Sequence, residues 1–306
     1  MNKNCLSNQI LNPKTKRCVK RDGKIGRSLL KENKKLKWDR NSCYMDSLIV
    51  AINNSNPELF RSKLRNIEKS NERLIKYQKN IKEEIDEIIN NKREKCNILR
   101  DKIDKFYKEL IKINSKIKIL DRNENFINSQ LDIFQLMELF DYVYDIKKDL
   151  KMIDGNNEIT TSFDINVPID LFIDKDEIKI NKYFPKYNIK YNLENGKIFK
   201  KSVEIIKANK LMIKIYRNLG YKKLETRVKL SSSLKIRDNR NKLKLTSIII
   251  HYGNNRGGHY ITLYKFEGYW YEYDDMKDNV RKIGRSIRDI NDNDKYTSNI
   301  VAILYS

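Results

Sequence analysis

The sequence predicts an α+β protein, with helices first and antiparallel strands after them. Two observations carry this. Between Pro57 and Gly155 there is neither proline nor glycine, and apolar residues recur there in steps of three and four. Beyond Gly155 the apolar period changes to two, with glycine- and asparagine-rich turns between the runs. Steps of three and four place side chains on one helix face; a step of two places them on one face of a strand. Helical runs followed by strand runs are the pattern of segregated α+β layers.

Taken in order, residues 1–30 read as a small unit of their own. Cys5 and Cys18 bracket the turn Asn12-Pro13-Lys14-Thr15, Asp22-Gly23-Lys24-Ile25-Gly26 forms a second turn, and a basic linker runs from Lys31 to Lys37. Residues 43–52 read as a buried helix, because Asn41 and Ser42 before it are good N-cap types and Pro57 closes the segment. Leu74, Ile81, Ile85 and Ile88 form one apolar seam, and Cys96, Leu99, Ile103, Phe106, Leu110, Ile113, Ile117 and Leu120 form a second. An unbroken helix over 60–120 would be about 90 Å long. Each seam needs a partner, so the expectation is an antiparallel helical hairpin turning at Asn90-Asn91, an insertion over about 60–125 that projects from the rest. Residues 130–144 form a more apolar helix that should join the core.

The strand candidates follow. Ile165, Val167, Ile169 and Leu171 alternate, as do Leu211, Ile213 and Ile215, and Leu243 and Leu245 lead into the run Ile248-Ile249-Ile250. Tyr260, Thr262 and Tyr264 alternate next, then Tyr269, Tyr271 and Tyr273, with turns at Asn254 to Gly258 and at Glu267-Gly268. No internal repeat is present.

Composition narrows the function. Of 306 residues, 39% are hydrophobic and 34% charged, so the core is concentrated in parts of the chain. No apolar run approaches the roughly 20 residues that span a bilayer, and the N-terminal residues carry no secretory signal pattern, so a soluble intracellular protein without membrane contact is expected. The net charge is +23, but the basic residues are spread out and interleaved with acids, which reads as Lys/Asn/Ile compositional bias more than a nucleic-acid surface. Four scattered cysteines, none in a C-x-x-C pair, and two histidines do not suggest a structural zinc site. In a reducing compartment a stable disulfide is not expected, the pair Cys5 and Cys18 being the one exception left open.

One set of residues carries chemistry. Cys43 starts a helix, where the dipole and the unpaired N–H groups favour a thiolate. A lone cysteine there is more often a small buried residue, but His259, in Gly257-Gly258-His259-Tyr260, is followed 15 residues later by Asp274-Asp275 (274 − 259 = 15). A hairpin over Tyr260 to Tyr273 would bring a carboxylate beside the imidazole, and the imidazole could then take a thiol proton. Gly257 and Gly258 either leave room for a glycine tail beside the base or simply make a hairpin turn. His251, at a strand end, reads as a packing residue.

Asn41-Ser42-Cys43-Tyr44-Met45-Asp46-Ser47-Leu48 resembles the cysteine box of the ubiquitin-specific proteases, especially their cylindromatosis-type branch. The stretch from His251 to Tyr264, with Trp270-Tyr271-Glu272-Tyr273-Asp274-Asp275, resembles the histidine box. Gln130 to Leu136 loosely echoes a family helix, and Leu211 to Ile215 with Arg217 the strand leading into the histidine box. The resemblance covers roughly residues 36–306 and implies a papain-like fold, a helical thumb and an antiparallel β palm, here with the long helical hairpin as an insertion. It implies a thiol-dependent deubiquitinase, with Cys43 as nucleophile, His259 as base and Asp274 as orienting acid, cleaving after the terminal glycine of ubiquitin or a ubiquitin-like protein without a metal or other cofactor. Trp38 stands where the family often has an oxyanion-hole asparagine, so that role passes to the Cys43 N–H with Asn41. The alternative is a weak or inactive ubiquitin-binding pseudoenzyme, and a nucleic-acid binder comes third.

Two further expectations follow from the resemblance. Ubiquitin's tail is basic, so a chain of charge +23 must gather carboxylates at its cleft; Asp46 and Asp170 are the candidates, with Tyr260 as apolar wall beside Gly257 and Gly258. Residues 4–30, through Cys5, Asn12-Pro13-Lys14-Thr15, Arg17-Cys18 and Gly23 to Gly26, resemble the two-cysteine adaptor domain of large DNA viruses. That implies a viral protein acting in the host cytoplasm, a virus factory or the virion, with a docking partner for this segment.

Overall fold

The structure is a computed structural model that describes residues 9–11, 18–20, 36–37, 42–66, 71–90, 96–113, 115–117, 119–120, 126, 132–167, 172, 175–192, 198–219, 222–254, 257–277 and 279–306. Helix α1 (Cys43–Ser55) leads into a short helix, Pro57–Arg61. Helices α2 (Glu72–Ile89) and α3 (Asn97–Ile113) follow, and then α4 (Ile133–Val143). The expected hairpin forms. α2 and α3 pack on each other through Leu74, Ile81, Ile85 and Ile88 on one side and Leu99, Ile103, Phe106 and Leu110 on the other, all buried. Ile113, counted in the seam from its spacing, is exposed.

The hairpin does not project. Its apolar seams share one continuous core with Tyr44, Met45, Leu48 and Ile52 of α1 and with Leu136, Leu139 and Phe140 of α4. Two buried or half-buried polar side chains tie it down further. Gln78 donates to the carbonyls of Arg65 and Tyr142, both at 3.0 Å, and Lys82 donates to those of Phe60 and Ser62 at 2.9 and 3.1 Å. The charged faces of these helices made them look free-standing, but periodicity identifies an apolar face without saying what covers it.

The strands form two larger sheets. β1 (Leu150–Asp154), β2 (Asn157–Thr161), β4 (Lys186–Asn192) and β5 (Ile198–Lys207) make one of four strands, in the order β2-β1-β5-β4. The other contains β3 (Asp164–Val167), β6 (Leu211–Ile215), β7 (Leu243–Asn254), β8 (Gly257–Phe266), β9 (Tyr269–Tyr273), β10 (Arg281–Gly284) and β11 (Ile300–Tyr305). Its order is β10-β9-β8-β7-β11-β6-β3, with the short strand Ser233–Leu234 beside β7. β11 lies between β6 and β7. Within this sheet pairing is antiparallel except between β3 and β6.

Both faces of the large sheet are covered. Ile249, Tyr260 and Tyr273 face the helical layer, whereas Ile248, Ile250, Ile261 and Leu263 face a second core with Trp270 and Tyr305. α1 lies across the sheet and is bonded to it: Thr262 Oγ1 donates to the Ser47 carbonyl at 2.8 Å, and Ser55 and Ser247 hydroxyls meet at 2.9 Å. Near the N-terminus, Gln9–Leu11 pairs with Cys18–Lys20, and Cys18 is disulfide-bonded, its partner lying outside the described residues. No helix among the described residues is long and apolar enough to cross a membrane.

Candidate active site

The site lies where the start of α1 meets the ends of β8 and β9. α1 begins at Cys43 because the Ser42 carbonyl accepts from the N–H groups of Met45 and Asp46, at 2.9 and 3.0 Å. The Ser42 hydroxyl does not cap the helix. It donates instead to Asp46 Oδ2 at 2.6 Å. His259 lies on β8, opposite Tyr252 of β7. The β8–β9 turn is Glu267-Gly268, both with positive φ (48° and 82°), the two-residue hairpin turn that matches strand twist. That tight turn fixes the register Thr262↔Tyr273, so Asp274 leaves the sheet beside His259.

His259 Nε2 and Asp274 Oδ1 are 2.8 Å apart. With Nε2 held by the carboxylate, Nδ1 is the nitrogen that can face a thiol. Asp274 is itself secured: Lys277 Nζ lies 3.0 Å from Oδ2, and the Met276 N–H donates to Oδ1 at 3.1 Å. Burial pushes the Asp274 carboxyl up, but the bonds from Lys277, His259 and Met276 outweigh it and leave its pKa below the ordinary aspartate value. Cys43 is buried and touches the same strand, since the backbone N–H groups of Tyr260 and Tyr44 both bond toward its sulfur. Burial pushes the thiol up to about 11, with the nearby charges of Asp275 and Asp46 adding to the rise. At rest Cys43 is therefore a thiol, and it needs a base to become a nucleophile.

The structure pairs His259 with Asp274, sets Cys43 against the backbone of Tyr260, the residue next to His259 on β8, and separates several other candidates from them. Asp46 is fully buried and faces Ser42, Cys96, Arg100 and Asp275, so it is no groove carboxylate. Tyr260 is also buried; its ring stacks on His251 with centroids 4.4 Å apart, and its hydroxyl lies near Asp132 and the Ile133 backbone, so it forms no open wall. Gly258 is bare because there is no room for a side chain: a Cβ would lie 2.2 Å from the Tyr252 carbonyl oxygen and 2.3 Å from His251 Nε2. The space beside the base is filled by His251, which burial, Lys223 and His259 together push down to about 4. Gly257 pairs with Asn254 at the strand end. Asn41, Asp170 and Trp38 lie outside the described residues.

Sequence reasoning missed Asp275, Cys96 and Arg100 as parts of this neighbourhood. Asp275 Oδ1 is 3.7 Å from His259 Nε2, too far for a hydrogen bond. Burial and Asp46 push Asp275 up to about 8, whereas its neighbour Asp274 is lowered. His259, Asp274 and Asp275 are also the one grouping with metal-ligand spacing among the described residues. The direct 2.8 Å bond between His259 and Asp274 already uses the atoms that would bind an ion.

Carboxylates do gather near the site, but at α4. Asp132 caps that helix, with Oδ1 accepting from the Phe134 N–H at 2.9 Å while Gln135 Oε1 accepts from the Asp132 N–H at 3.0 Å. Asp132, Glu138 and Asp164 lie around the exposed Tyr216, and Asp141 is beside Asp164. Burial pushes Asp132 up to about 6, and burial and Asp164 do the same to Asp141.

Comparison with known proteins agrees with this geometry. The family model described as "Ubiquitin carboxyl-terminal hydrolase" matches residues 35–297. The chain belongs to the ubiquitin carboxyl-terminal hydrolase family. That family is one of cysteine-protease deubiquitinases, and the family match spans both the Cys43 helix and the His259–Asp274 hairpin. Among solved structures, the SAGA DUB module Ubp8/Sgf11/Sus1/Sgf73 bound to monoubiquitin is similar, with a TM-score of 0.52 and 14% identity over 90% of this chain and 70% of that one. At that identity the likeness speaks for the shared fold. No curated protein sequence matches the chain.

Proposed function

We propose that this member of the hydrolase family is a working deubiquitinase in which Cys43, His259 and Asp274 act as nucleophile, base and orienting acid. What supports this is the 2.8 Å bond that holds Asp274 on Nε2 of His259, together with the buried Cys43 thiol at the start of α1, which meets β8 at the N–H of the next residue, Tyr260. Nδ1 of His259 takes the thiol proton as sulfur attacks the carbonyl of the terminal glycine. The Cys43 N–H at the start of α1 is suited to receive the oxyanion. The proton passes to the departing lysine amine, leaving an acyl thioester, and water cleaves it with His259 again as base. The steps balance with water as the only co-reactant.

The carboxylates of Asp132, Glu138 and Asp164 around Tyr216, with Asp141 beside Asp164, support a basic tail as substrate; Asp132 is the one that also lies near Tyr260, and Lys214 already pairs with Asp164. The monoubiquitin bound to the similar solved module supports ubiquitin as the tag. One observation favours the pseudoenzyme reading, the thiol raised to about 11. Labelling with a ubiquitin C-terminal electrophile decides between them. The wild-type chain should be labelled at neutral pH, Cys43→Ala should not, and Asp274→Asn should react roughly 100-fold or more slowly because the imidazole loses its orientation. A folded wild-type chain that stays unlabelled would remove the enzyme reading.

For residues 1–30 we infer a docking segment of the viral two-cysteine adaptor type, and with it a viral protein of the host cytoplasm, virus factory or virion. The paired strands Gln9–Leu11 and Cys18–Lys20 and the disulfide-bonded Cys18 support a small stapled unit. Residues 36–306 are then the catalytic unit, with the hairpin as its extra element.

A further inference from the structure

The end of β9 and the turn after it hold an ion-pair network that the reaction as written does not use. Residues two apart on an extended strand face the same way, so Glu272 and Asp274 present their carboxylates to one side. The turn then folds back on them. The Lys277 N–H donates to the Asp274 carbonyl at 3.1 Å. The Lys277 ammonium reaches both acids, 2.9 Å from Glu272 Oε1 and 3.0 Å from Asp274 Oδ2. Glu272 is the fixed end of this bridge. It is buried, and its other oxygen, Oε2, accepts from Arg281 at 2.8 Å and from the Tyr296 hydroxyl at 2.5 Å. Arg281 stands directly opposite Glu272 on β10 and also donates to the Tyr296 hydroxyl. Tyr296 comes from the one-turn helix Asp294–Thr297. The strand, its neighbour and this helix together hold Glu272, and Glu272 holds Lys277.

We propose that Lys277, anchored on Glu272, is a positioning residue for the proposed hydrolysis: it fixes Asp274 Oδ2 so that Oδ1 stays on Nε2 of His259. This inference rests on the catalytic reading of His259 and Asp274. The last torsion of an aspartate is broad, so a carboxylate with one bond turns easily. Here it is held at both oxygens. Oδ1 faces Nε2 at 2.8 Å and accepts from the Met276 N–H at 3.1 Å, while Oδ2 is taken by Lys277. Without the ammonium, the Met276 N–H alone would oppose rotation, and the imidazole would lose its fixed partner. The cation also lets two neighbouring carboxylates stay ionised side by side. The Lys277 side chain is 56% exposed, so water screens the pair and its effect is moderate in size.

Steady-state kinetics on a fluorogenic ubiquitin C-terminal substrate test this. Lys277→Met should lower kcat about fivefold, the upper end for a half-exposed ion pair. KM should hold, because the ammonium acts on the catalytic acid and touches no substrate. Lys277→Arg keeps a cation that can reach both acids, so it should restore most of the turnover. In an Asp274→Asn chain, Lys277→Met should cost nothing further, since its effect passes through that carboxylate. A folded Lys277→Met chain with wild-type kcat, or an equal loss in the Asp274→Asn background, would overturn the proposal. Proton NMR of the His259 Nε2–H reads the positioning without any activity. The signal should be sharp in the wild type and broadened by exchange with water in Lys277→Met; identical signals in the two chains would refute the proposal by themselves. A wild type that the ubiquitin electrophile leaves unlabelled, but whose Nε2–H signal is sharp and is lost in Lys277→Met, would sink the enzyme reading and leave the positioning role standing.

Discussion

Gly258→Ala is the sharpest test of how His259 is placed. The added Cβ would stand 2.2 Å from the Tyr252 carbonyl oxygen, against an ordinary contact of at least 3.4 Å, so about 1.2 Å (3.4 − 2.2) must be made up. The atom it meets is backbone, and Tyr252 pairs with His259 across β7 and β8, so the relief must displace the strand segment that carries the imidazole. A displacement near 1 Å at a catalytic group costs about 100-fold in rate, about 2.7 kcal/mol at 1.36 kcal/mol per decade. Turnover of a fluorogenic ubiquitin C-terminal substrate should fall by that factor while circular dichroism shows an intact fold. His251→Ala added to Gly258→Ala removes the second clash, with the ring at 2.3 Å, but not the carbonyl, so rescue should be partial at most. Gly268→Ala is the control. Its φ of 82° makes alanine strained, but nothing lies within 4 Å, so stability should drop by about 1 kcal/mol and turnover should hold. A folded Gly258→Ala variant with turnover within about threefold of wild type would show that β8 is not what places the base.

Two more outcomes separate the parts of the site. Asp132 is raised to about 6, so it is a carboxylate at neutral pH and loses its charge as the pH falls through that value; KM for a ubiquitin substrate should therefore rise between pH 7 and 5, and Asp132→Asn should raise KM at pH 7 and flatten the dependence, as steady-state kinetics in both chains would show. Phe106→Ala, in the hairpin, removes a fully buried ring and should cost about 3–5 kcal/mol, with Cys43 labelling lost in the same thermal transition as the helices; a separate hairpin transition that leaves labelling intact would show an independent unit.

Much of this was legible because the signals are local. The start of α1 was legible from the apolar run that begins at Cys43, although Ser42 turns its hydroxyl to Asp46 and does not cap it; the helical hairpin follows from two seams flanking Asn90, and the β8–β9 hairpin from Glu267-Gly268 between alternating tyrosines. That hairpin gave His259 and Asp274 their partnership before any geometry was known. What was not legible depends on packing between distant segments. Asp274 and Asp275 are chemically identical in sequence, and only the direction each takes on leaving β9 makes one the imidazole's partner and the other the partner of Asp46. Asp46 looked like a first-turn carboxylate open to solvent until Asp275, Cys96 and Arg100 closed around it. The Tyr260 expectation had a local warning, because neighbours on a strand face opposite ways and a side chain beside His259 is turned from whatever His259 faces. The acidic group at α4 was visible as single letters, but Asp132 and Asp164 meet around Tyr216 only through the tertiary fold.

The hairpin changes meaning once its interior is seen. As a projecting insertion it would be dispensable for hydrolysis, and its charged faces would be its whole contribution. Packed under α1, it closes the shared apolar core: Leu99, Ile103 and Phe106 lie in the same cluster as Tyr44, Met45 and Leu48 of the helix that Cys43 opens. Deleting the hairpin would therefore strip one wall from the helix that carries the nucleophile, and loss of activity would follow from loss of folding. Phe106→Ala opens that wall without shortening the chain, so it should move the melting temperature of the whole unit, with turnover of the surviving folded chain close to wild type.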